Sequence, residues 1–245
     1  MNISDGILHI APNPRELGQL AATYWCRQAQ TAIDDHGAFY VALSGGSTPQ
    51  LLFEQLATPA FRDTIDWKKV MIFFGDERCV PKDHADSNYR MARESLLGPL
   101  GIDGKQVFRV ETERGPEGAA VAYAKTLDTV LPHGELDLVM LGLGPDGHIA
   151  SLFPGTPALS EHGKMVTPVF VEKFSSWRVS ITLPALSRAG RVMLLTAGAG
   201  KADIVAEILD KHGAHDRYPV EMIQARQQID FFLDQAAAGR LKDVC

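Results

Sequence analysis

The stretch LDLVMLGLG, from Leu136 to Gly144, is almost continuously apolar and ends in two closely spaced glycines. It is too short to cross a membrane, and it lacks the apolar–polar alternation of a half-exposed strand. Strands covered by helices on both faces have this composition, and parallel sheets are built from such strands. The stretch therefore predicts a buried strand of a parallel sheet.

Similar apolar segments recur along the chain and alternate with helical patterns. The strand-like segments are Phe39–Leu43, Val70–Gly75, Arg178–Leu183, Arg191–Gly198 and Ile229–Leu233. The helical segments are Pro14–Ala32, Pro49–Leu56, Asn88–Leu97, Glu117–Val130 and Lys201–Leu209. We expect Thr48 to cap the second helix, with Pro49 at its first helical position. The alternation predicts an α/β fold, a mostly parallel sheet with helices on both faces and right-handed crossovers.

The domain organisation follows from what interrupts this alternation. The 245-residue sequence contains no internal repeat, low-complexity tract or linker, so we expect a single domain over residues 1–245. The stretch Gly155–Trp177 is less regular, and we expect it to be a small loop-rich insertion.

Composition excludes several classes of protein. The net charge of −6 argues against a nucleic-acid-binding protein, although local cations can still bind a small anion. No apolar run approaches the roughly 20 residues of a membrane helix, and the N-terminal stretch does not have the pattern of a signal peptide. Cys26, Cys79 and Cys245 are scattered without zinc-site spacing. We expect a protein of the reducing cytoplasm.

The segment SGGSTP, Ser44–Pro49, follows the first predicted strand, and ligands of parallel sheets bind beyond such strand ends. Gly45 and Gly46 allow a tight turn, and the next helix presents free N–H groups. Hydroxyl groups come from Ser44, Ser47 and Thr48. The segment has neither the lysine of a Walker loop nor the spacing of a nucleophile elbow. It predicts a phosphate site, the alternative being an ordinary glycine turn.

Two cations at segment ends could complete a phosphate site. Arg178 begins a strand-like segment, and Lys201 follows Gly198 and Gly200 at the start of a helix. A cation at a helix start opposes the helix dipole, which a bound anion would explain. For each residue the alternative is a solvated surface charge.

The segment GDER, Gly75–Arg78, places Asp76, Glu77 and Arg78 at another strand end. The three are either part of the site or a surface ion-pair cluster. Further on, Asp83, His84 and Asp86 could suggest a metal site, but a group that starts the helix at Asn88 is the favoured interpretation. We therefore expect no metal.

The segment GLGPDGH after Leu141 fits the pattern G-x-G-x-x-G, which can bind dinucleotides. Pro145 lies inside the pattern, and Pro154 ends any following helix after a few residues, so we reject that interpretation. Asp146 and His148 instead lie two positions apart in a tight turn, where one can orient the other. A histidine titrates near about pH 6.5 and suits general acid–base catalysis.

Four segments together resemble the 6-phosphogluconolactonase family. They are SGGSTP, GDERCVPKDHADSNYRMARESLL, GLGPDGHIASLFPG and GAGKA, in that family's order between Val41 and about Ala202. Cys79 and Ala199 are minor departures from its pattern. The related glucosamine-6-phosphate deaminases (isomerases) share the layout but are expected to read D-G-H-I-A-F-N-E-P. This chain has Ser151, Leu152 and Phe153 after DGHIA and lacks that glutamate.

The resemblance implies a Rossmann-like fold and a cytoplasmic enzyme of the pentose phosphate pathway. It implies hydrolysis of 6-phospho-D-glucono-1,5-lactone to 6-phospho-D-gluconate without metal or organic cofactor. We expect His148 to act as general acid and base, oriented by Asp146, beside Asp76. We expect the Ser44–Thr48 loop, Arg178 and Lys201 to bind the phosphate. Arg78 either stabilises the oxyanion or orders the neighbouring acids. The alternatives are a deaminase and a non-catalytic sugar-phosphate sensor.

Overall fold

The computed structural model describes residues 6–210, 218–226 and 228–242. Six of its strands form one parallel sheet: β1 Ile7–Ala11, β2 Phe39–Leu43, β3 Val70–Phe74, β5 Leu138–Gly142, β8 Arg191–Thr196 and β9 Gln228–Asp234. Their order across the sheet is β1-β9-β8-β5-β2-β3. Three more strands are β4 Asp76–Arg78, β6 Val166–Val171 and β7 Ser176–Ile181.

The helices lie between the strands along the chain. They are α1 Pro14–His36, α2 Ser47–Leu56, α3 Pro59–Arg62, α4 Asn88–Ala92, α5 Gly98–Leu100, α6 Gly115–Val130, α7 Leu183–Arg188, α8 Ala202–Leu209 and α9 Gln235–Ala238. A π turn, Arg93–Leu97, joins α4 to α5. None of the described helices has the length and apolarity needed to cross a membrane.

Alternate side chains of the parallel sheet enter two different cores. Val41 and Leu43 of β2 pack on one face with residues of α1 and α2, including Trp25. Ala42, between them, packs on the other face in the cluster that contains Tyr123 of α6. Because both faces are covered, the strands are apolar throughout. This confirms the predicted α/β fold with helices on both faces.

The order of the strands creates one position where connections diverge. From β2 the chain passes to β3 on one side, and the next strand of the sheet, β5, lies on the other side of β2. The loops after β2 and β5 therefore separate and leave a crevice between the carboxyl ends of these strands. Such a switch point is where open α/β sheets bind ligands.

The expectation of a loop-rich insertion over Gly155–Trp177 is wrong from Val166 onward. This stretch contains β6 and the start of β7, which pair antiparallel and form, with β4, a separate three-stranded sheet of order β4-β7-β6. The predicted strand Arg178–Leu183 accordingly corresponds to β7, which ends at Ile181 and belongs to this small sheet, while Leu183 begins α7. Pro168 obscured the pattern of β6, but an edge strand tolerates a proline because one side needs no ladder hydrogen bond.

Candidate active site

A cavity of about 220 Å³ lies at the switch point, beyond the ends of β2, β5 and β8. The predicted residues that line it are Ser44, Gly45, Gly46, Ser47, Thr48, Asp76, Arg78, His148, Arg178 and Lys201. Asp146 contacts the lining through His148. The fold thus brings residues from five separate segments of the chain to one small cavity.

The loop after β2 delivers the start of α2 to this cavity. The helix begins at Ser47 with Gly46 as its N-cap, so the predicted cap at Thr48 with Pro49 at the first helical position is wrong by two residues. The reason is the φ angle of 107° at Gly46, which is open to glycine and lets the chain enter the helix earlier. No side chain caps α2, so its first N–H groups remain available to an anion.

The turn after β5 holds a histidine against a carboxylate. His148 Nδ1 lies 2.5 Å from Asp146 Oδ1, and Gly144 N–H donates to the carbonyl of His148 at 2.8 Å. A Cβ atom at Gly144 would lie 1.9 Å from His148 Nδ1, so glycine is required there. The dinucleotide glycine pattern is explained by this packing, since the turn opens no helix.

The ionisation of this pair follows from its surroundings. Burial lowers the pKa of His148, and the hydrogen bond and charge of Asp146 partly oppose this. Burial by itself would raise the pKa of Asp146, but its bonds with His148 outweigh burial and the pKa is lowered. At neutral pH His148 is therefore a neutral imidazole beside a carboxylate. With the proton on Nδ1 facing Asp146, Nε2 is the basic nitrogen.

The small sheet brings two arginines together beside the cavity. Arg78 of β4 and Arg178 of β7 are directly paired across the strands. The Nε atom of each is buried without a hydrogen-bond partner among the described residues. Burial also lowers the pKa of Arg178, although the nearby Asp76 opposes this. Two half-buried guanidinium groups whose buried Nε donors are unused favour an anionic ligand.

The acids next to Arg78 are internal, so the alternative of a surface ion-pair cluster is wrong. Asp76 is 5% exposed and Glu77 is 3% exposed. Glu77 accepts the backbone N–H groups of Asn88 and Tyr89 at 2.8 and 2.9 Å, which anchors the start of α4. The Arg78 guanidinium donates to the carbonyl of Asp86 at 2.6 Å. Only the backbone N–H of Arg78 bonds to Glu77.

Two residues to which the sequence analysis gave no role in the site hold Asp76. Ser151 Oγ donates to Asp76 Oδ2 at 2.6 Å, and Asn88 Nδ2 donates to Asp76 Oδ1 at 3.0 Å. Ser151 lies in the turn that carries His148, so Asp76 links the parallel sheet to the small one. The only available signal was a polar residue within the apolar run IASLF.

Lys201 reaches the cavity from the turn before α8. Its Nζ atom donates to the carbonyl of Leu143 at 2.7 Å. Burial lowers the pKa of Lys201, while the charge of Asp146 opposes this. Lys173, also not singled out from the sequence, lies with its Nζ 3.9 Å from Asp146 Oδ2. The histidine side of the cavity thus has cations of its own.

The segment Asp83–Asp86 starts a helix, as the sequence favoured. Asp86 N–H donates to His84 Nδ1 at 3.1 Å, and the next residue, Ser87, caps α4. Among residues 6–210, 218–226 and 228–242, no group of three or more His, Cys, Asp or Glu side chains is placed to hold a metal ion. Cys26 and Cys79 are free thiols, and Cys245 lies outside the described residues.

Residues 12–231 match the family described as glucosamine-6-phosphate isomerases/6-phosphogluconolactonase. The chain belongs to this family. It is 37% identical over 246 residues to 6-phosphogluconolactonase of Rattus norvegicus, covering 96% of this chain and 94% of the relative. It is 36% identical to the probable chloroplastic 6-phosphogluconolactonase 3 of Oryza sativa subsp. indica, over 93% of this chain and 74% of the relative.

Solved structures of the family share the fold. The structure of 6-phosphogluconolactonase from Trypanosoma brucei superimposes with a TM-score of 0.87 at 30% sequence identity, covering 97% of this chain and 99% of that one. The family predicted from the four segments is therefore confirmed.

Proposed function

We propose that the protein is a 6-phosphogluconolactonase, a carboxylic ester hydrolase. It converts 6-phospho-D-glucono-1,5-lactone to 6-phospho-D-gluconate, the second step of the oxidative pentose phosphate pathway. The observation that carries the proposal is the hydrogen bond between His148 and Asp146 in a cavity that also presents three cations, Arg78, Arg178 and Lys201. The relatives of that name, 36 and 37% identical over most of the chain, support the substrate.

His148 serves as the general base and then as the general acid. Its Nε2 removes a proton from a water molecule whose oxygen bonds to the lactone carbon C1. The resulting tetrahedral oxyanion collapses, the bond from C1 to the ring oxygen breaks, and His148 returns the proton to that oxygen. Asp146 keeps the imidazole in the reactive tautomer and stabilises its charged form. Asp76 contributes a fixed negative charge near this histidine.

The cations bind the anionic parts of the substrate. The Ser44–Thr48 loop with the start of α2, together with Arg178 and Lys201, holds the 6-phosphate. Charge-assisted hydrogen bonds of this kind contribute roughly 1.5–3 kcal/mol each. Arg78, whose guanidinium does not pair with Asp76 or Glu77, is then available to the developing oxyanion. Anchoring the distant phosphate fixes C1 near the base.

The scheme requires only water as co-substrate. A lactone is an activated ester, so a neutral histidine and an oxyanion-stabilising cation suffice, and no step uses a metal or organic cofactor. The partner is a small sugar phosphate lactone. With a net charge of −6 we propose no nucleic-acid partner and no membrane partner.

The direct test measures formation of 6-phosphogluconate from freshly prepared lactone against the spontaneous rate. We expect a rate proportional to enzyme concentration and no release of ammonia from glucosamine 6-phosphate. The turn that carries His148 favours lactone hydrolysis over deamination, because Ser151, Leu152 and Phe153 provide no carboxylate. Ammonia release without lactone hydrolysis would identify a deaminase, and binding without either reaction would identify a sensor.

We also propose that the enzyme works in the cytoplasm. The free thiols of Cys26 and Cys79 suit a reducing compartment. The rice relative is named chloroplastic, and the chain matches 74% of its length. Fractionation of cells that express a tagged full-length protein decides between the compartments.

A further inference from the structure

Phe153 contacts two of the groups to which the proposed reaction gives roles. It is 5% exposed, and its ring stacks on the His148 imidazole with a centroid distance of 4.0 Å and an interplanar angle of 23°. The guanidinium carbon of Arg178 lies 5.7 Å from the centroid of the same ring. One apolar side chain thus lies against both the histidine and a cation of the cavity.

These contacts lie on the faces of the imidazole and the guanidinium and do not use their hydrogen-bonding edges. Asp146 already fixes one edge of the imidazole, and the stack with Phe153 fixes the plane of the ring. Together they set the direction of Nε2. Arg178 has no ion pair within the described part of the chain, and its buried Nε is unpartnered. A cation held over a ring keeps its N–H groups for a ligand.

A second aromatic ring completes the support of the guanidinium. Phe174, at the tip of the β6–β7 hairpin, lies 5.1 Å from the Arg178 guanidinium carbon and meets Phe153 edge-on at 6.1 Å. Phe174 is 51% exposed and lies at the outer edge of this aromatic pair, while Phe153 is its buried member. The two rings belong to different segments, the turn after β5 and the small sheet. Phe153 therefore links the segment of His148 to the strand of Arg178.

We propose that Phe153 is a positioning residue that aligns His148 with Arg178, so that one buried ring directs both the base and the anion-binding cation. The inference rests on the proposed function, which gives these two residues their roles. An apolar side chain needed only for packing would be replaceable by leucine, which fills much of the same volume. A leucine has no flat face, however, on which an imidazole and a guanidinium can lie.

The test is Phe153→Leu, with Phe153→Met as a second replacement should the first fail to fold. We expect kcat for the lactone to fall about 10-fold and Kd for 6-phosphogluconate to rise about 5-fold, the range that aromatic and cation–π contacts support. Phe153→Tyr keeps the ring face and should restore both values to within about threefold of wild type.

The matched control is Phe108→Leu. Phe108 stacks on Phe73 with centroids 4.8 Å apart and an interplanar angle of 16°, and it does not line the active-site cavity. This variant loses a similar ring contact, so it should lose stability while keeping kcat and Kd. Equal kinetic losses in both variants would show that Phe153 acts only through general packing.

A pH profile gives the readout that packing alone would not change. The groups acting on His148 are Asp146, Asp76 and Lys201, with Lys173 beside Asp146, and Phe153→Leu retains all of them. A smaller side chain admits water beside the imidazole, so the ascending limb of kcat/KM should move to higher pH. If folded Leu and Met variants keep wild-type kcat, Kd and pH limb, the inference is wrong. If wild type itself fails to hydrolyse the lactone, the proposed function is wrong instead.

Discussion

The two sheets contribute different chemistry to one cavity. The parallel sheet presents its strand ends, and with them come the α2 start, His148 and Lys201. The small antiparallel sheet approaches from the side and adds Arg78 and Arg178 as neighbouring residues of paired strands. A parallel α/β sheet always offers a crevice at its switch point. Under the proposed function, the parallel sheet supplies the base together with the phosphate loop and Lys201, while the small sheet adds two half-buried arginines for the anionic substrate.

We expect the largest effect from a substitution that removes the proposed base on the parallel sheet. His148→Ala should lower kcat by about 10²–10⁴-fold, the usual contribution of a general base. Steady-state lactone hydrolysis, corrected for the spontaneous rate, checks this. The control is His36→Ala, which removes another His–Asp pair, 3.0 Å from Asp137 and outside the cavity lining. Near-wild-type turnover in the His148 variant would contradict the assignment.

We expect the next largest effect from a substitution that removes one of the arginines of the small sheet. Arg178→Ala removes a charge-assisted contact worth roughly 1.5–3 kcal/mol, so Kd for 6-phosphogluconate should rise about 10- to 100-fold. Arg178→Lys should recover part of the affinity, because a point charge replaces a planar fork. Arg27→Ala is the control, since Arg27 also lies over an aromatic ring, Tyr24 at 5.3 Å, outside the cavity lining. Unchanged affinity in Arg178→Ala would place the phosphate elsewhere.

Asp146→Asn tests how the carboxylate of Asp146 acts on His148, the proposed base. The carboxylate raises the pKa of His148 against the lowering by burial, so its neutral replacement should lower that pKa further. His148 must be neutral to accept a proton, so activity rises as pH increases through its pKa. The ascending limb of kcat/KM should therefore move to lower pH in the variant, and kcat should fall about 10-fold because the base is weaker. A limb that moves to higher pH would contradict this.

The wild-type pH profile tests the same point without a substitution. Burial lowers the pKa of His148 below its ordinary value, so the ascending limb of kcat/KM should have its midpoint below about pH 6.5. Stopped-flow or pH-stat measurements between about pH 5 and 8 cover this range. A midpoint clearly above that value would show that the charged imidazole is favoured.

The smallest effect concerns Lys173 at the edge of the small sheet. Its side chain is 60% exposed and lies 3.9 Å from Asp146, so the pair is screened by water. Lys173→Ala should change kcat/KM by less than about fivefold, a typical limit for an exposed ion pair. A larger loss at constant kcat would indicate that Lys173 contacts the substrate itself.

The difference between the two sheets also explains which parts of the fold and of the site could be predicted from the sequence. The buried strands of the parallel sheet are continuous apolar runs, so the fold, the Ser44–Thr48 loop and the turn of His148 could be predicted. The small sheet could not, although the segment of β7 was predicted to be a strand. Its strand β6 contains Pro168, and β4 is short and pairs with β7 from a distant part of the chain, which leaves no local pattern. The pairing of Arg78 with Arg178 and the support of Asp76 by Ser151 depend on that tertiary arrangement.

The central claim is that His148 supplies the base, while Arg178 of the small sheet supplies a separable part of the anion site. Calorimetric titration of 6-phosphogluconate into His148→Ala and Arg178→Ala tests it most directly, because binding is read without catalysis. We expect the His148 variant to bind with nearly wild-type affinity, and the Arg178 variant to bind about 10- to 100-fold more weakly. Loss of binding in the His148 variant together with normal binding in the Arg178 variant would contradict the account.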